Sequence, residues 1–187
     1  MFIGKNFDYS RCLTWVPMLN DISYYSLTMA EVVYDDQEQL LGSNQAFVLD
    51  SGTTNTYFVD PLYQQLLSLV TKTPLQKTPG DEGYRHCWKG TKPFNSISDI
   101  RSYFPTLKLK FREGRVMEIP PDNYFIIREI GDACLGIFNG SDIKLSFNLI
   151  GAISMQNVMV VYDNEQQKIG WARVAGCSNP PVGICAP

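Results

Sequence analysis

Short apolar runs, broken by polar residues and by Gly and Pro, set the pattern of this chain. Runs rich in β-branched and aromatic residues at Leu13–Pro17, Tyr24–Tyr34, Gln45–Leu49, Leu107–Phe111, Val116–Ile119, Tyr124–Ile127, Cys134–Phe138, Val158–Tyr162 and Ile169–Val174 predict strands. A mostly β fold follows. Asp35–Gln39 reads as an exposed hairpin connection and Arg112–Arg115 as a tighter one. One stretch changes period: with Asp60 as N-cap and Pro61 in the first position, Leu62, Leu66, Leu69 and Val70 recur at helical spacing. That helix buries one face. A second, short helix is predicted near Ser98, with Ile100 and Tyr103 on one side and Pro105 ending it. There is no internal repeat, and Ser178–Gly183 reads as irregular chain after the last strand.

Length and charge narrow the possibilities. At 187 residues the chain can bury one sizeable core, so a single domain is expected. Its net charge is −3 with Lys and Arg scattered, a distribution that offers no basic surface for nucleic acid or an anionic membrane. No apolar run approaches the roughly 20 residues of a membrane span. Met1–Lys5 lacks the basic and apolar regions of a signal peptide. The five cysteines form no CxxC pair and stand beside a single histidine, so a zinc site is not expected. Their odd number leaves the redox compartment open. Asn139-Gly140-Ser141 is a glycosylation sequon, which matters only in a secreted protein.

Candidate chemistry concentrates at one place. A Ser/His/Asp or Cys/His site would have to use His86, which stands next to Cys87 and reads as a surface loop residue. Trp88-Lys89-Gly90-Thr91-Lys92 lacks the preceding glycine of a phosphate loop. The run Ala46-Phe47-Val48-Leu49 instead drives into Asp50, and Ser51, Gly52, Thr53 and Thr54 follow. A carboxylate at the end of an apolar strand is costly without donors, and backbone N–H groups with two hydroxyl types can supply them. The simplest alternative is an Asx-type turn that merely ends a strand. Two carboxylates sharing a proton could activate water, yet no second Asp here ends an apolar strand with Ser/Thr-Gly behind it. The chain holds half of such a dyad.

These residues carry a resemblance. "FVLDSGTT" resembles the second active-site motif of pepsin-like aspartic proteases, and "NLIGAISMQNVMVVYDNEQQKIGWARV" is similar to that family's closing segment. "YRHCWKGTKPFNSISDIRSYFPTLKLKF", "IPPDNYFII" and "ACLGIFNGSDI" resemble its plant nucellin-like and nepenthesin-like members. The match runs from about Phe2 to Cys177, and Met1–Lys5 resembles the strand linking the family's two lobes. The resemblance implies a C-terminal lobe over residues 1–177, of the six-stranded β-barrel type with short helices, and an irregular tail over 178–187.

It also implies roles. Asp50 would be the lobe's catalytic aspartate, Ser51 the hydroxyl that links the two active-site loops, and Thr53 a donor to the carboxylate. Gly52 would permit close approach, Thr54 would lie near substrate, and Leu149, Ile150 and Gly151 would belong to the closing strand of a ψ-shaped loop. Cys87 would pair with Cys134 in an oxidising compartment, leaving Cys12, Cys177 and Cys185 unassigned. Ala152 departs from the acidic residue common after the closing glycine. No cofactor or metal is implied. The expected activity is aspartic endopeptidase action on peptides, in a secreted, endomembrane or vacuolar setting, once an N-terminal lobe supplies the second Asp. The alternatives are a proteolytically silent binding module of the xylanase-inhibitor kind and a homodimer in which two copies of Asp50 meet.

Overall fold

The computed structural model describes residues 13–19, 24–34, 39–81 and 83–174. The expectations for Met1–Lys5, the Asp35–Gln39 connection, Cys12, Cys177, Cys185 and the tail fall wholly or largely outside these residues. In chain order the strands are β1 (Thr14–Pro17), β2 (Ser26–Tyr34), β3 (Gln39–Leu49), β4 (Thr56–Phe58), β5 (Gln76–Pro79), β6 (His86–Lys89) and β7 (Leu107–Lys110). They continue with β8 (Val116–Ile119), β9 (Phe125–Ile127), β10 (Ala133–Leu135), β11 (Ile137–Asn139), β12 (Asn148–Ile150), β13 (Val158–Asp163) and β14 (Lys168–Arg173). One α-helix, α1 (Leu62–Val70), follows β4.

The mostly β class holds, with strands in three open sheets instead of one six-stranded barrel. A seven-stranded sheet runs β11-β4-β12-β3-β2-β7-β8, a four-stranded one β5-β6-β10-β9, and a three-stranded one β1-β14-β13. The large sheet is antiparallel except where β12 runs parallel to β3 and β11 parallel to β4. One face of it joins the main core: Phe47, Leu49, Phe58, Ile137 and Ile150 pack with Leu62 and Leu66 of α1 and with Trp88, Phe104 and Phe125.

The helix buries the residues its period selects, Leu62, Leu66, Leu69 and Val70, together with Tyr63. Its start differs from expectation. Asp60 does not cap it: Pro61 occupies the cap position, and the Asp60 carboxylate accepts from Asn139 Nδ2 at 3.2 Å instead. The second predicted helix is one 3-10 turn, Ile97–Ile100. Ile100 is fully buried, but Phe104, whose N–H reaches the Ile100 carbonyl, takes the inner place expected for Tyr103, which is 38% exposed.

The run Cys134–Phe138 is two strands, because the chain changes sheet at Gly136. Its N–H donates to the Tyr124 carbonyl and its own carbonyl accepts from Thr56 N. A Cβ there would come within 2.4 Å of Ile153 Cδ1, so any larger residue at this corner would have to displace the end of that side chain. β4, β5 and β6 lack the long apolar alternation that marks a strand, and β5 is an exposed polar edge. His86 therefore lies in a strand and not in a surface loop, half-buried, with Nδ1 unpartnered among the described residues. Burial, with Lys77 and Arg85 nearby, pushes its pKa down.

Candidate active site

The site grows from strand order. β12 is inserted between β3 and β4, so the loop that joins those two strands, Asp50 to Asn55, is threaded by a third strand from late in the chain. This is the ψ-shaped arrangement. The Asp50 N–H donates to the Ile150 carbonyl at 3.0 Å, and the Leu49 N–H donates to the Tyr25 carbonyl at 3.0 Å. Both sides of the strand end are thus fixed before the loop begins.

Asp50 is half-buried, and each carboxylate oxygen has a donor: Gly52 N–H to Oδ1 at 2.9 Å and Thr53 Oγ1 to Oδ2 at 2.6 Å. Thr53 N–H closes the turn on the Asp50 carbonyl at 3.3 Å. Ser51, Gly52 and Thr54 are exposed, and the Ser51 hydroxyl makes no hydrogen bond among the described residues. Three of these four residues thus offer their surface outward, while Thr53 turns in.

The closing strand locks the loop from behind. Ala152 N–H donates to the Thr53 carbonyl at 2.7 Å and Ile153 N–H to the Thr54 carbonyl at 2.9 Å. The segment therefore bonds through backbone, and no acidic side chain at position 152 enters those contacts. At Gly151 a Cβ would lie 2.1 Å from the Asn55 carbonyl oxygen and 2.8 Å from that of Thr53, so only glycine lets the strands approach.

Four buried polar residues escaped the sequence reading. Thr56 Oγ1 accepts from Gly151 N–H at 3.1 Å and shares a 2.6 Å hydrogen bond with Ser154 Oγ. Ser154 Oγ in turn donates to the Asn123 carbonyl, and Asn123 Nδ2 donates to the carbonyls of Ser154 and Gln156. Asn148 does the same between strands, accepting from Val59 N–H and donating to Ala46 O. Nothing in sequence spacing marks these partners, which stand 31 to 102 positions apart.

The register also builds a row across the face opposite the main core. Phe138 stands beside Tyr57, Tyr57 beside Leu149, and Leu149 beside Val48. Strand alternation places Asp50, two residues after Val48, on this same face. Tyr84 extends the row, with its ring 5.7 Å from Phe138 and its hydroxyl 3.5 Å from Asn55 Oδ1. On the other flank Tyr162 packs 4.4 Å from Tyr25, and burial, with Tyr25 and Asp50 close by, raises its pKa. Asp50 thus stands half-buried on a face that carries aromatic rings, with Val48 and Leu149 buried beside it. A groove of about 410 Å³ lined by Thr14, Met117, Glu118, Trp171 and Arg173 includes none of the loop.

Cys87 and Cys134 are disulfide-bonded across the β6–β10 pair. Asp132 lies with them, but the sulfurs are bonded to each other, and its carboxylate is occupied by Arg128 and Thr78. That donor set does not suit a cation. Asn139 ends β11 and caps the 3-10 turn Gly140–Ile143, its Oδ1 accepting from Ser141 N–H at 2.9 Å.

An open β lobe whose ψ-shaped loop presents one supported carboxylate is the architecture of half a bilobal aspartic protease. A family model described as xylanase inhibitor C-terminal matches residues 29–173, and the chain belongs to this family, the C-terminal lobe of the pepsin-like aspartic proteases. It is 36% identical over 173 residues to an aspartic proteinase of Oryza sativa subsp. japonica, covering 85% of this chain and 42% of that protein. It is 30% identical over 127 residues to aspartic proteinase nepenthesin-1 of Nepenthes gracilis, covering 67% of this chain and 27% of that one. The chain thus spans less than half the length of these relatives. Among solved structures, soybean basic 7S globulin superposes with a TM-score of 0.72 at 16% identity, over 89% of this chain and 44% of that one. An aspartic proteinase from Irpex lacteus gives 0.66 at 16% identity, over 92% and 50%. Those two share the fold.

Proposed function

We propose that this chain is the C-terminal half of an aspartic endopeptidase and that Asp50 supplies one carboxylate of its dyad. The observation that carries this reading is the carboxylate itself, half-exposed at the head of a threaded loop with a donor on each oxygen. Relatives named as aspartic proteinases support it. The second Asp comes from an N-terminal lobe, to which the exposed Ser51 hydroxyl is free to bond.

The chemistry follows from sharing one proton between two carboxylates. The ionised member takes a proton from water as the oxygen attacks the peptide carbonyl, and the protonated member donates to the carbonyl oxygen. The resulting gem-diol collapses as a proton reaches the amide nitrogen, which leaves as the amine. Gly52 and Thr53 hold Asp50 still throughout, so little reorganisation is needed. Substrate lies extended beside the half-buried Tyr57 and Phe138 rings, whose faces favour apolar side chains. The Cys87–Cys134 bond suits a secreted, endomembrane or vacuolar protein. A silent binding module has no use for Asp50, Ser51, Gly52 and Thr53 together.

The test is hydrolysis of quenched fluorescent peptides between about pH 3 and pH 6 by the two-lobed protein, with a pepstatin-type inhibitor as control. Asp50→Asn is expected to abolish inhibitor-sensitive cleavage. Full activity in that variant rejects the reading.

A further inference from the structure

We infer that Asn139 carries an N-linked glycan at the surface turn that ends β11. Asn139-Gly140-Ser141 is the single Asn-X-Ser/Thr sequon in the chain, and its middle residue is not proline. The structure adds what the triplet lacks. Asn139 is the last residue of β11, the outermost strand of the large sheet, and it opens a surface turn in which Ser141, Asp142, Ile143 and Lys144 are all exposed. Its Nδ2 points to exposed Asp60, not into the core. The Cys87–Cys134 disulfide supplies independent support, because the compartment that forms such bonds is the one that attaches these glycans.

The attachment is compatible with the folded contacts. In the transfer, Nδ2 attacks the anomeric carbon of an oligosaccharide carried on a lipid pyrophosphate. The new C–N bond forms as the carbon–oxygen bond to the pyrophosphate breaks. One Nδ2 proton goes to base and the lipid pyrophosphate leaves. The second Nδ2 hydrogen stays, so the bond to Asp60 survives, as does the Oδ1 contact with Ser141 N–H. The sugar then stands at the surface turn that also carries Ile143, which is 57% exposed.

The experiment uses the natural full-length protein secreted from a eukaryotic host. Peptide mass spectrometry before and after an amidase that releases N-glycans is expected to convert Asn139 to aspartate and to remove the glycan mass. Ser141→Ala keeps Asn139 and its backbone contacts but destroys the sequon, so the glycan is expected to disappear; Ser141→Thr is expected to keep it. An unmodified Asn139 peptide in the secreted, disulfide-bonded protein overturns the site itself. So does natural protein whose Cys87 and Cys134 are free thiols and whose Asn139 is bare.

Discussion

The Thr53 hydroxyl donates to Asp50 Oδ2 at 2.6 Å, across three residues of one tight loop. A hydrogen bond to a charged group contributes about 1.5–3 kcal/mol, so this contact fixes the carboxylate in the position the proposed chemistry requires. Thr53→Val keeps the shape and removes the donor. In the two-lobed protein kcat/KM is expected to fall tenfold or more, about 1.4 kcal/mol, while Thr53→Ser retains most activity. Steady-state kinetics, with a thermal melt to show the fold intact, decides it.

Gly151 is the tightest point of the site. A methyl group at that position meets two backbone oxygens that belong to the Asp50–Asn55 loop, and backbone cannot step aside as a side chain can. Gly151→Ala is expected to cost about 3 kcal/mol and to lower Tm by several degrees. A variant that melts like the parent contradicts the threaded-loop geometry.

Cys87 and Cys134 lie 47 residues apart and close a loop over the β6–β10 pair. On the chain-entropy model that closure contributes about 4 kcal/mol. Urea unfolding of the Cys87→Ala/Cys134→Ala double variant is expected to show a loss of that order. Reductant should bring the parent toward the variant and leave the variant unchanged.

Asp132 is buried against Arg128, with Thr78 Oγ1 donating at 2.8 Å. The Arg128 hydrogen bonds hold its carboxyl below the usual carboxylate value. The unfolded chain therefore binds more protons in the acid range. The stabilisation is present in full above the ordinary carboxylate pKa and is lost as pH falls through the lower folded value. Asp132→Asn is expected to cost about 1.5–3 kcal/mol near neutrality, because the charge-assisted hydrogen bonds from Arg128 to the buried carboxylate are lost while Arg128 keeps its ion pair with Asp81, and to flatten the acid limb of stability against pH. Denaturation series at several pH values test both effects.

Some of this could be read along the chain and some could not. α1 was visible because Leu62, Leu66, Leu69 and Val70 share one helical face, a property of local spacing. Its cap was not visible, because Asp60 found a better partner in Asn139 far along the chain. β4 and β6 were too short to show a period, and their strand character comes from the neighbours they pair with. Gly136 looked like the middle of one strand until two sheets met at it.

The sequence by itself determined the β-rich class, the amphipathic helix and the donor-rich turn after Asp50, because each depends on residues within a few positions of one another. Tertiary structure alone decided that β12 threads between β3 and β4, that Thr56, Ser154 and Asn123 join behind the loop, and that Phe138, Tyr57, Leu149 and Val48 align on Asp50's face. Those relationships join distant segments through hydrogen bonds and register. Local composition carries no record of which distant carbonyl or ring will arrive.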